Sequence, residues 1–199
     1  MIVAAGSGDR FGGPKQYEDL AGRRVLDWSL EIARNASDGV VLVVHASRVD
    51  QPEPGADVVV AGGATRSGSV RAGLAAVPDD AEVVLVHDAA RPRASADLWR
   101  RVVDGVRFGA DAVVPGIPVV DTLREIGGGT VDRSRFVAVQ TPQGFRADVL
   151  RRAHAAGGEA TDDAALVEAI GGMVLVVDGE VGNTKITSPA DLQVMRALA

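Results

Sequence analysis

Short, continuously apolar runs rich in Val recur along the chain and alternate with longer stretches of helical character. Strands that are covered by helices on both faces bury both rows of side chains, so they are apolar throughout. This alternation predicts an α/β fold with a Rossmann-like, doubly wound, mostly parallel sheet. The predicted strands are Ile2–Ala5, Val40–His45, Ala56–Val60, Glu82–His87, Asp111–Val114 and Met173–Val177. The predicted helices are Val25–Asn35, Arg66–Val77, Ala96–Phe108, Ala147–Ala155, Asp162–Ile170 and Ala190–Leu198.

One segment, 117–139, breaks this alternation. Two strand-like runs, 118–126 and 130–139, flank three consecutive glycines, which predicts a β-hairpin arm inserted into the α/β unit. A lone two-stranded hairpin is marginally stable in water, so a second subunit is a natural partner for the arm. The 199 residues suit one domain, 1–199, that carries this arm.

Composition excludes several classes of protein. The net charge of −6 argues against a nucleic-acid binder, and no apolar run approaches the ~20 residues that a membrane-spanning helix needs. The chain has no cysteine, which excludes disulfides and thiolate metal sites and is compatible with a reducing cytosol. The first residues form no signal-peptide pattern. We therefore expect a cytoplasmic protein without nucleic-acid or membrane partners.

A glycine-rich segment directly follows the first strand and reads AAGSGDRFGGPKQ from Ala4 to Gln16. Glycines let the backbone aim several N–H groups at one anion, and Arg10 and Lys15 add positive charge. The segment has neither the Gly-Lys-Ser/Thr of a Walker loop nor the spaced glycines of a dinucleotide fingerprint. A triphosphate cradle is favoured over a purely structural turn.

Two further segments stand where open α/β sheets bind ligands. Residues 62–69, GGATRSGS, could contact a base edge, although the segment taken alone is better explained as a turn before an N-capped helix. In residues 86–92, VHDAARP, Asp88 ends a buried strand and could hold Mg²⁺, or could pair with Arg91. His87 is expected to be structural, and His45 and His154 carry no functional signal.

Several polar segments carry no functional signal on their own, but together they could bind a second phosphate. They are Asp121-Thr122, Arg133, residues 141–143, residues 161–163 and residues 182–187. The chain has only two lysines, Lys15 and Lys185, among 21 basic residues. Where Arg fills nearly every basic position, a lysine can mark a site that needs a compact ammonium, although chance explains the pattern equally well.

In order along the chain, these motifs resemble the 2-C-methyl-D-erythritol 4-phosphate cytidylyltransferase family. The matching pieces are AAGSGDR with PKQY, GGATRSGSV, VHDAARP, DT with TPQGF, TDDA and NTKIT, which span Ala4 to Thr187. The resemblance implies a nucleotide-diphospho-sugar transferase type of fold and a homodimer formed through arms at 117–139. Arg10 and Lys15 stand closer together than is usual in the family, and Gly182 replaces an acid that some members have.

The resemblance also implies ligands and roles. CTP and a polyol phosphate would be the substrates, with Mg²⁺ held by Asp88. Arg10, Lys15 and Lys185 would be catalytic. The nucleotide would be bound by Ala4, Ala5, Gly6, Ser7, Gly8, Gly63, Arg66, Ser69, Asp88 and Ala89. The acceptor would be bound by Arg91, Thr122, Arg133, Thr161 and Lys185, with Arg133 offered by the neighbouring subunit.

Three alternatives remain at this stage. A cytidylyltransferase for ribitol 5-phosphate would share the nucleotide site and differ in its acceptor. An NAD(P)-binding reductase is disfavoured by the first glycine loop. A catalytically silent dimeric protein, suggested by the short loop between Arg10 and Lys15, would bind CTP without releasing pyrophosphate.

Overall fold

The apolar runs form the strands of a mixed sheet. The computed structural model describes residues 1–198. The strands are β1 (Ile2–Ala4), β2 (Asp19–Leu20), β3 (Arg23–Arg24), β4 (Val41–Val44), β5 (Val58–Ala61), β6 (Val83–Asp88), β7 (Ala112–Pro118), β8 (Val137–Val139), β9 (Gln143–Arg146) and β10 (Val174–Asp178). The strand order of the main sheet is β10-β7-β9-β6-β1-β4-β5, with β8 paired to β7. β2 and β3 form a separate antiparallel pair. The doubly wound, mostly parallel α/β fold predicted from the sequence is confirmed.

Residues 1–198 form six α-helices: α1 (Val25–Ala36), α2 (Arg66–Leu74), α3 (Ala96–Arg107), α4 (Ala147–Ala155), α5 (Asp163–Ala169) and α6 (Pro189–Ala197). On one face α1 and α3 bury Leu26, Leu98 and Trp99 against the strands. On the other face α2, α4 and α5 contribute a second cluster that includes Leu150 and Val167. No helix in residues 1–198 has the length and apolar character needed to cross a membrane.

The sequence did not predict β9, which runs antiparallel between β6 and β7. Gly144 lies opposite both Leu85 and Val113 in this strand. A Cβ at Gly144 would lie 2.6 Å from Val102 Cγ1, so the glycine lets α3 pack closely on the sheet. The strand is short and contains Gln, Gly and Arg, so it lacks the apolar run that identifies the other strands.

The arm differs from the regular hairpin that we expected. β7 reaches Pro118 and pairs with β8, but the tip is tied by one bridge, between Arg124 and Thr130. A 3₁₀ turn, Arg133–Arg135, interrupts the second predicted strand. Ile126 at the tip is fully exposed. Two long strands over 118–126 and 130–139 are therefore wrong, because an unsupported ribbon has no face to bury.

The order of the strands creates a switch point beside β1. The chain passes from β1 to β4 and β5 on one side, and then returns to β6 on the other side. Because these strands are parallel, their carboxyl ends meet at one edge, where open α/β sheets bind their ligands. The glycine-rich segment and Asp88 both lie at this edge.

In the sequence, Thr161 before two acids and Ser188 before Pro189 predict the N-caps of the last two helices. Ser188 caps α6 and Pro189 is its first residue, as expected. The cap of α5 is Asp162 rather than Thr161, because the Asp162 carboxylate accepts the N–H of Ala165 at 3.0 Å.

Candidate active site

The glycine loop after β1 turns sharply at Gly8. Gly8 has φ +78°, and a Cβ there would lie 1.7 Å from the carbonyl oxygen of Gly13, so no other residue fits. The Gly8 carbonyl accepts N–H groups from Phe11, Gly12 and Gly13 at 2.8, 3.0 and 3.2 Å. Within residues 1–198, the N–H groups of Gly6, Ser7 and Gly8 donate to no protein acceptor. These donors are free for an anion.

Lys15 begins the 3₁₀ turn that closes this loop. Burial lowers the pKa of its ammonium, and the nearby cations Lys185 and Arg10 lower it further. The loop therefore holds positive charge that no carboxylate fully compensates, and this arrangement attracts a polyanion.

Asp88 ends β6 and meets two cations. Lys185 Nζ lies 2.5 Å from its Oδ2, and Arg66 Nε lies 3.8 Å from its Oδ1. Burial disfavours the carboxylate, but Lys185 and then Arg66 outweigh burial and hold the pKa of Asp88 below its ordinary value. Asp88 is thus an ionised carboxylate with 14% of its side chain exposed. It pairs with Lys185 and Arg66, and not with Arg91 as the structural alternative proposed.

Behind Arg66 lies a buried ion pair. Asp163 is fully buried, and its Oδ2 accepts from Arg66 Nη1 at 2.8 Å. Its Oδ1 lies 3.0 Å from His154 Nε2. Burial disfavours the Arg66 cation, yet Asp163 and then Asp88 raise the pKa of the guanidinium. His154, which carried no functional signal in the sequence, thus supports a residue of the site.

The loop between β5 and α2 forms the opposite wall. Gly62 is packed so closely that a Cβ would lie 2.4 Å from Ala5 Cβ. Thr65 caps α2 by accepting Gly68 N–H at 2.9 Å, and the Ser69 hydroxyl donates to the Thr65 carbonyl at 2.9 Å. These bonds fix Gly63 beside the glycine loop, and the Ser69 oxygen keeps capacity to accept.

These walls enclose one pocket of about 410 Å³ at the switch point. The predicted site residues that line it are Ala4, Ala5, Gly6, Ser7, Gly8, Lys15, Gly63, Arg66, Ser69, Asp88, Ala89 and Lys185. Residues from the two ends of the chain and from three loops therefore converge on one cavity.

The other predicted site residues do not line this pocket: Arg10, Arg91, Thr122, Arg133 and Thr161. Arg10 is exposed on the glycine loop. The guanidinium of Arg91 donates to the carbonyls of Asn183 at 2.7 Å and Val139 at 3.4 Å, so it braces the segment before Lys185. Arg133 contacts the Val120 carbonyl within its own arm.

His87 has the structural role that we expected. It is buried, with Nε2 3.1 Å from the Arg91 carbonyl and Nδ1 3.1 Å from Thr141 Oγ1. Burial lowers the pKa of its imidazole to about 4, so the ring is neutral near pH 7. Thr141 also accepts the N–H of Asp88 at 3.0 Å, and this contact fixes the end of β6.

Gln16 and His45 also line the pocket, although no role was predicted for either from the sequence. Gln16 donates through Nε2 to the carbonyls of Ala4 at 2.8 Å and Gly6 at 3.1 Å. His45 follows β4, so its place at the carboxyl end of a parallel strand was the available signal.

The fold and the site define a class: an α/β protein that binds a phosphate-rich nucleotide at the switch point of its sheet. A profile of the family 2-C-methyl-D-erythritol 4-phosphate cytidylyltransferase matches residues 1–199. The chain belongs to this family, whose members are nucleotidyltransferases.

Individual members of the family are similar to this protein over the whole length of the chain. The 2-C-methyl-D-erythritol 4-phosphate cytidylyltransferase of Rhodococcus opacus (strain B4) is 48% identical over 211 residues, covering 100% of this chain and 93% of the relative. The enzyme of that name from Nocardia farcinica is 43% identical over 212 residues, covering 100% and 92%. The crystal structure of the Thermus thermophilus enzyme superposes with a TM-score of 0.87 at 40% identity, covering 99% of this chain and 96% of that one. These similarities favour the methylerythritol family over the ribitol 5-phosphate and NAD(P) alternatives.

Proposed function

We propose that the protein transfers CMP from CTP to 2-C-methyl-D-erythritol 4-phosphate. The products are 4-diphosphocytidyl-2-C-methyl-D-erythritol and pyrophosphate, in non-mevalonate isoprenoid biosynthesis. The observation that carries the proposal is the convergence of the glycine loop, Lys15, Asp88 and Lys185 on one pocket, in a chain that belongs to this family. The pocket contains both free N–H donors and two ammonium groups. These groups can hold two polyanions, CTP and the acceptor phosphate, close to each other.

The reaction needs positioning and charge compensation more than proton transfer. An oxygen of the acceptor phosphate attacks the α-phosphorus of CTP, and the bond from that phosphorus to the oxygen bridging to the β-phosphate breaks. The acceptor phosphate is already an anion near pH 7, so no general base is required. Negative charge grows on the bridging and equatorial oxygens, where Lys15, Arg10 and Lys185 would offset it.

The nucleotide would lie across the edge of β1. The backbone of residues 4–8 would hold the phosphates, while Gly63 and Ser69 would contact the cytosine edge. Ala89 would contact the nucleotide as part of the pocket wall, since its N–H already donates to the Val3 carbonyl at 3.1 Å. Arg66 would support the loop between β5 and α2, since Asp163 holds the Arg66 guanidinium in place. Both loops line the same pocket, which supports this orientation.

Asp88 is the residue that would hold Mg²⁺. Its carboxylate is ionised and lines the pocket, which are the properties that a hard cation requires. Within residues 1–198 no cluster of three acidic or histidine side chains could hold a metal alone. One carboxylate fits a cation that arrives with the nucleotide phosphates, because Mg²⁺ is commonly bound in this way. When bound, the ion would neutralise charge on the phosphate oxygens.

The acceptor site would need two subunits. Lys185, Arg91 and Thr161 belong to the main body, whereas Thr122 and Arg133 lie on the arm and do not line the pocket of their own chain. The exposed Val120, Ile126 and Phe136 give the arm an apolar surface that a second copy would cover. We therefore infer a homodimer in which each arm contributes Thr122 and Arg133 to the neighbouring pocket.

The cytoplasm is the compartment that we propose. The chain has no cysteine and so does not depend on an oxidising environment. Fractionation of cells that carry the tagged protein tests this placement.

Pyrophosphate release from CTP and Mg²⁺ tests the reaction, measured alone, with 2-C-methyl-D-erythritol 4-phosphate and with ribitol 5-phosphate. We expect release only with the methylerythritol acceptor. Faster turnover of ribitol 5-phosphate would contradict the acceptor assignment. CTP binding without release for either acceptor would favour the catalytically silent alternative.

A further inference from the structure

Gln16 makes an unusual pair of contacts beneath the glycine loop. It is a buried polar residue, 4% exposed, and its single amide nitrogen lies 2.8 Å from the Ala4 carbonyl oxygen and 3.1 Å from the Gly6 carbonyl oxygen. Both partners are acceptors, so only the –NH₂ end of the side chain can occupy this place. Both N–H bonds of the amide are thus used on alternate carbonyls of one loop.

The planarity of the peptide bond gives these contacts a consequence. In a trans peptide the C=O of one residue and the N–H of the next point in opposite directions. With the Ala4 and Gly6 carbonyls turned toward Gln16, the N–H groups of Ala5 and Ser7 point to the other side of the loop. Among residues 1–198 no protein acceptor receives either N–H, and both residues line the pocket.

We propose that Gln16 is a positioning residue that orients the N–H groups of Ala5 and Ser7 toward the CTP phosphates. This inference rests on the proposed function. The loop needs such a restraint, because its glycine-rich backbone has many accessible conformations and donors already in place avoid an ordering cost on binding. Lys15, the preceding residue, is presented by the same turn, so one short segment both supplies a cation and orders the amides.

Binding of CTP and of cytidine to Gln16→Met tests the proposal. Methionine keeps the length and burial but cannot donate. Because the amides contact phosphate and not the base, we expect affinity for CTP to fall at least about tenfold while affinity for cytidine is unchanged. Unchanged CTP affinity would overturn the proposal, as would an equal loss for both ligands, which a merely structural role produces.

Gln140→Met is the matched control. Gln140 is equally buried, and it donates to the Glu180 carbonyl at 2.8 Å, away from the glycine loop. We expect this variant to keep the wild-type ratio of CTP to cytidine affinity. Wild-type protein that failed to bind CTP would contradict the proposed function itself, whereas a wild type that binds CTP beside an unaffected Gln16→Met would contradict only the role of Gln16.

A second measurement needs no variant and so does not depend on Gln16→Met folding. Inorganic triphosphate is titrated into ¹⁵N-labelled wild-type protein, and the backbone amide resonances are followed. We expect those of Ala5 and Ser7 to shift downfield as the amides gain charged acceptors. Unshifted Ala5 and Ser7 resonances at saturation would overturn the proposal.

Discussion

Lys185 Nζ lies 2.5 Å from Asp88 Oδ2, so the carboxyl end of β6 is joined to a loop 97 residues further along the chain. The pair lines the pocket together with Lys15, and Arg66 approaches the other carboxylate oxygen. Asp88 thus compensates two cations in the free protein, and its carboxylate is the one that we propose as the ligand of Mg²⁺.

Asp88→Asn should abolish most turnover with little effect on folding. The change removes the proposed ligand of Mg²⁺ and leaves Lys185 without its carboxylate. Lys185 is partly exposed and Arg66 keeps Asp163, so the free energy of unfolding should fall by no more than about 2 kcal/mol. Pyrophosphate release and urea denaturation measure the two effects.

Asp111→Asn is the control, because this partly exposed acid also pairs with an arginine but lies outside the pocket. A large loss of stability in Asp88→Asn would indicate a structural residue instead.

Lys15→Met should lose activity without losing stability. Burial and the neighbouring cations lower the pKa of Lys15, so its ammonium is disfavoured in the free protein, and removing it should leave the melting temperature unchanged or higher. Lys15→Arg keeps the charge but replaces a compact ammonium with a planar fork, so we expect only partial recovery of turnover. Full activity in Lys15→Met would remove this residue from the catalytic set. A clear fall in melting temperature would show that the ammonium stabilises the fold.

Asp163→Ala should destabilise the protein far more than Asp162→Ala. Asp163 is fully buried and contacts both Arg66 and His154, so its removal leaves Arg66 without its nearest carboxylate and should cost ~3–5 kcal/mol. Asp162, the adjacent acid, is the cap of α5, and loss of a cap costs about 1 kcal/mol. Urea denaturation of both variants compares them directly. Equal losses would show that the Arg66–Asp163 pair adds nothing beyond a helix cap.

The sequence was sufficient to predict the strands that are buried on both faces, because Val41–Val44 or Val83–Asp88 must be apolar on each side. It was insufficient for β9, whose glycine and glutamine are selected by the close approach of α3 and by contacts within the sheet rather than by strand preference. The pairing of β7 with β8 and the bridge between Arg124 and Thr130 lie within the predicted arm. The regularity of the arm was overestimated, since strand pattern alone does not show whether a ribbon has a surface to pack on.

The candidate site was predictable where function is carried by local motifs. Lys15, Asp88 and Lys185 stand out by residue type and by position after a strand or in a matching motif, and the structure brings them to one pocket. The residues behind them did not stand out. The contact between Arg66 and Asp163 joins residues 97 positions apart, and Gln16 works through the direction of carbonyl groups, which residue type alone does not reveal.

Asp191 should make stability depend on acid pH. Its carboxylate accepts the Thr187 hydroxyl and the N–H groups of Thr187 and Ser188, and these bonds lower its pKa from 3.8 to about 2. Because the folded-state pKa is depressed, this stabilisation is present above about pH 4 and is lost as the pH falls through about 2. Asp191→Asn should therefore cost roughly 1 kcal/mol at pH 7 and clearly less near pH 2, where about half of the carboxyl groups are protonated. Denaturation at both pH values tests this, with Asp97→Asn, an exposed first-turn acid of α3, as a control that should change little. A cost that is the same at both pH values would contradict the role of the carboxylate charge.

Replacing the apolar side chains of the arm should separate the proposed dimer and weaken acceptor binding together. In the double variant Val120→Asp/Ile126→Asp, two exposed apolar side chains become charged, and burying those charges between subunits would be costly. We expect sedimentation at micromolar concentration to give half the wild-type mass. The KM for the acceptor should rise, because Thr122 and Arg133 no longer reach a neighbouring pocket, while affinity for CTP stays unchanged.

Phe108→Asp is the matched control for the arm. Phe108 is 91% exposed at the end of α3 and lies outside the arm, so its replacement should change neither mass nor kinetics. A double arm variant that keeps the wild-type mass would contradict the dimer through the arm. A variant of half the mass with unchanged acceptor KM would instead remove Thr122 and Arg133 from the acceptor site, leaving Lys185 as the predicted acceptor-binding residue that lines the pocket.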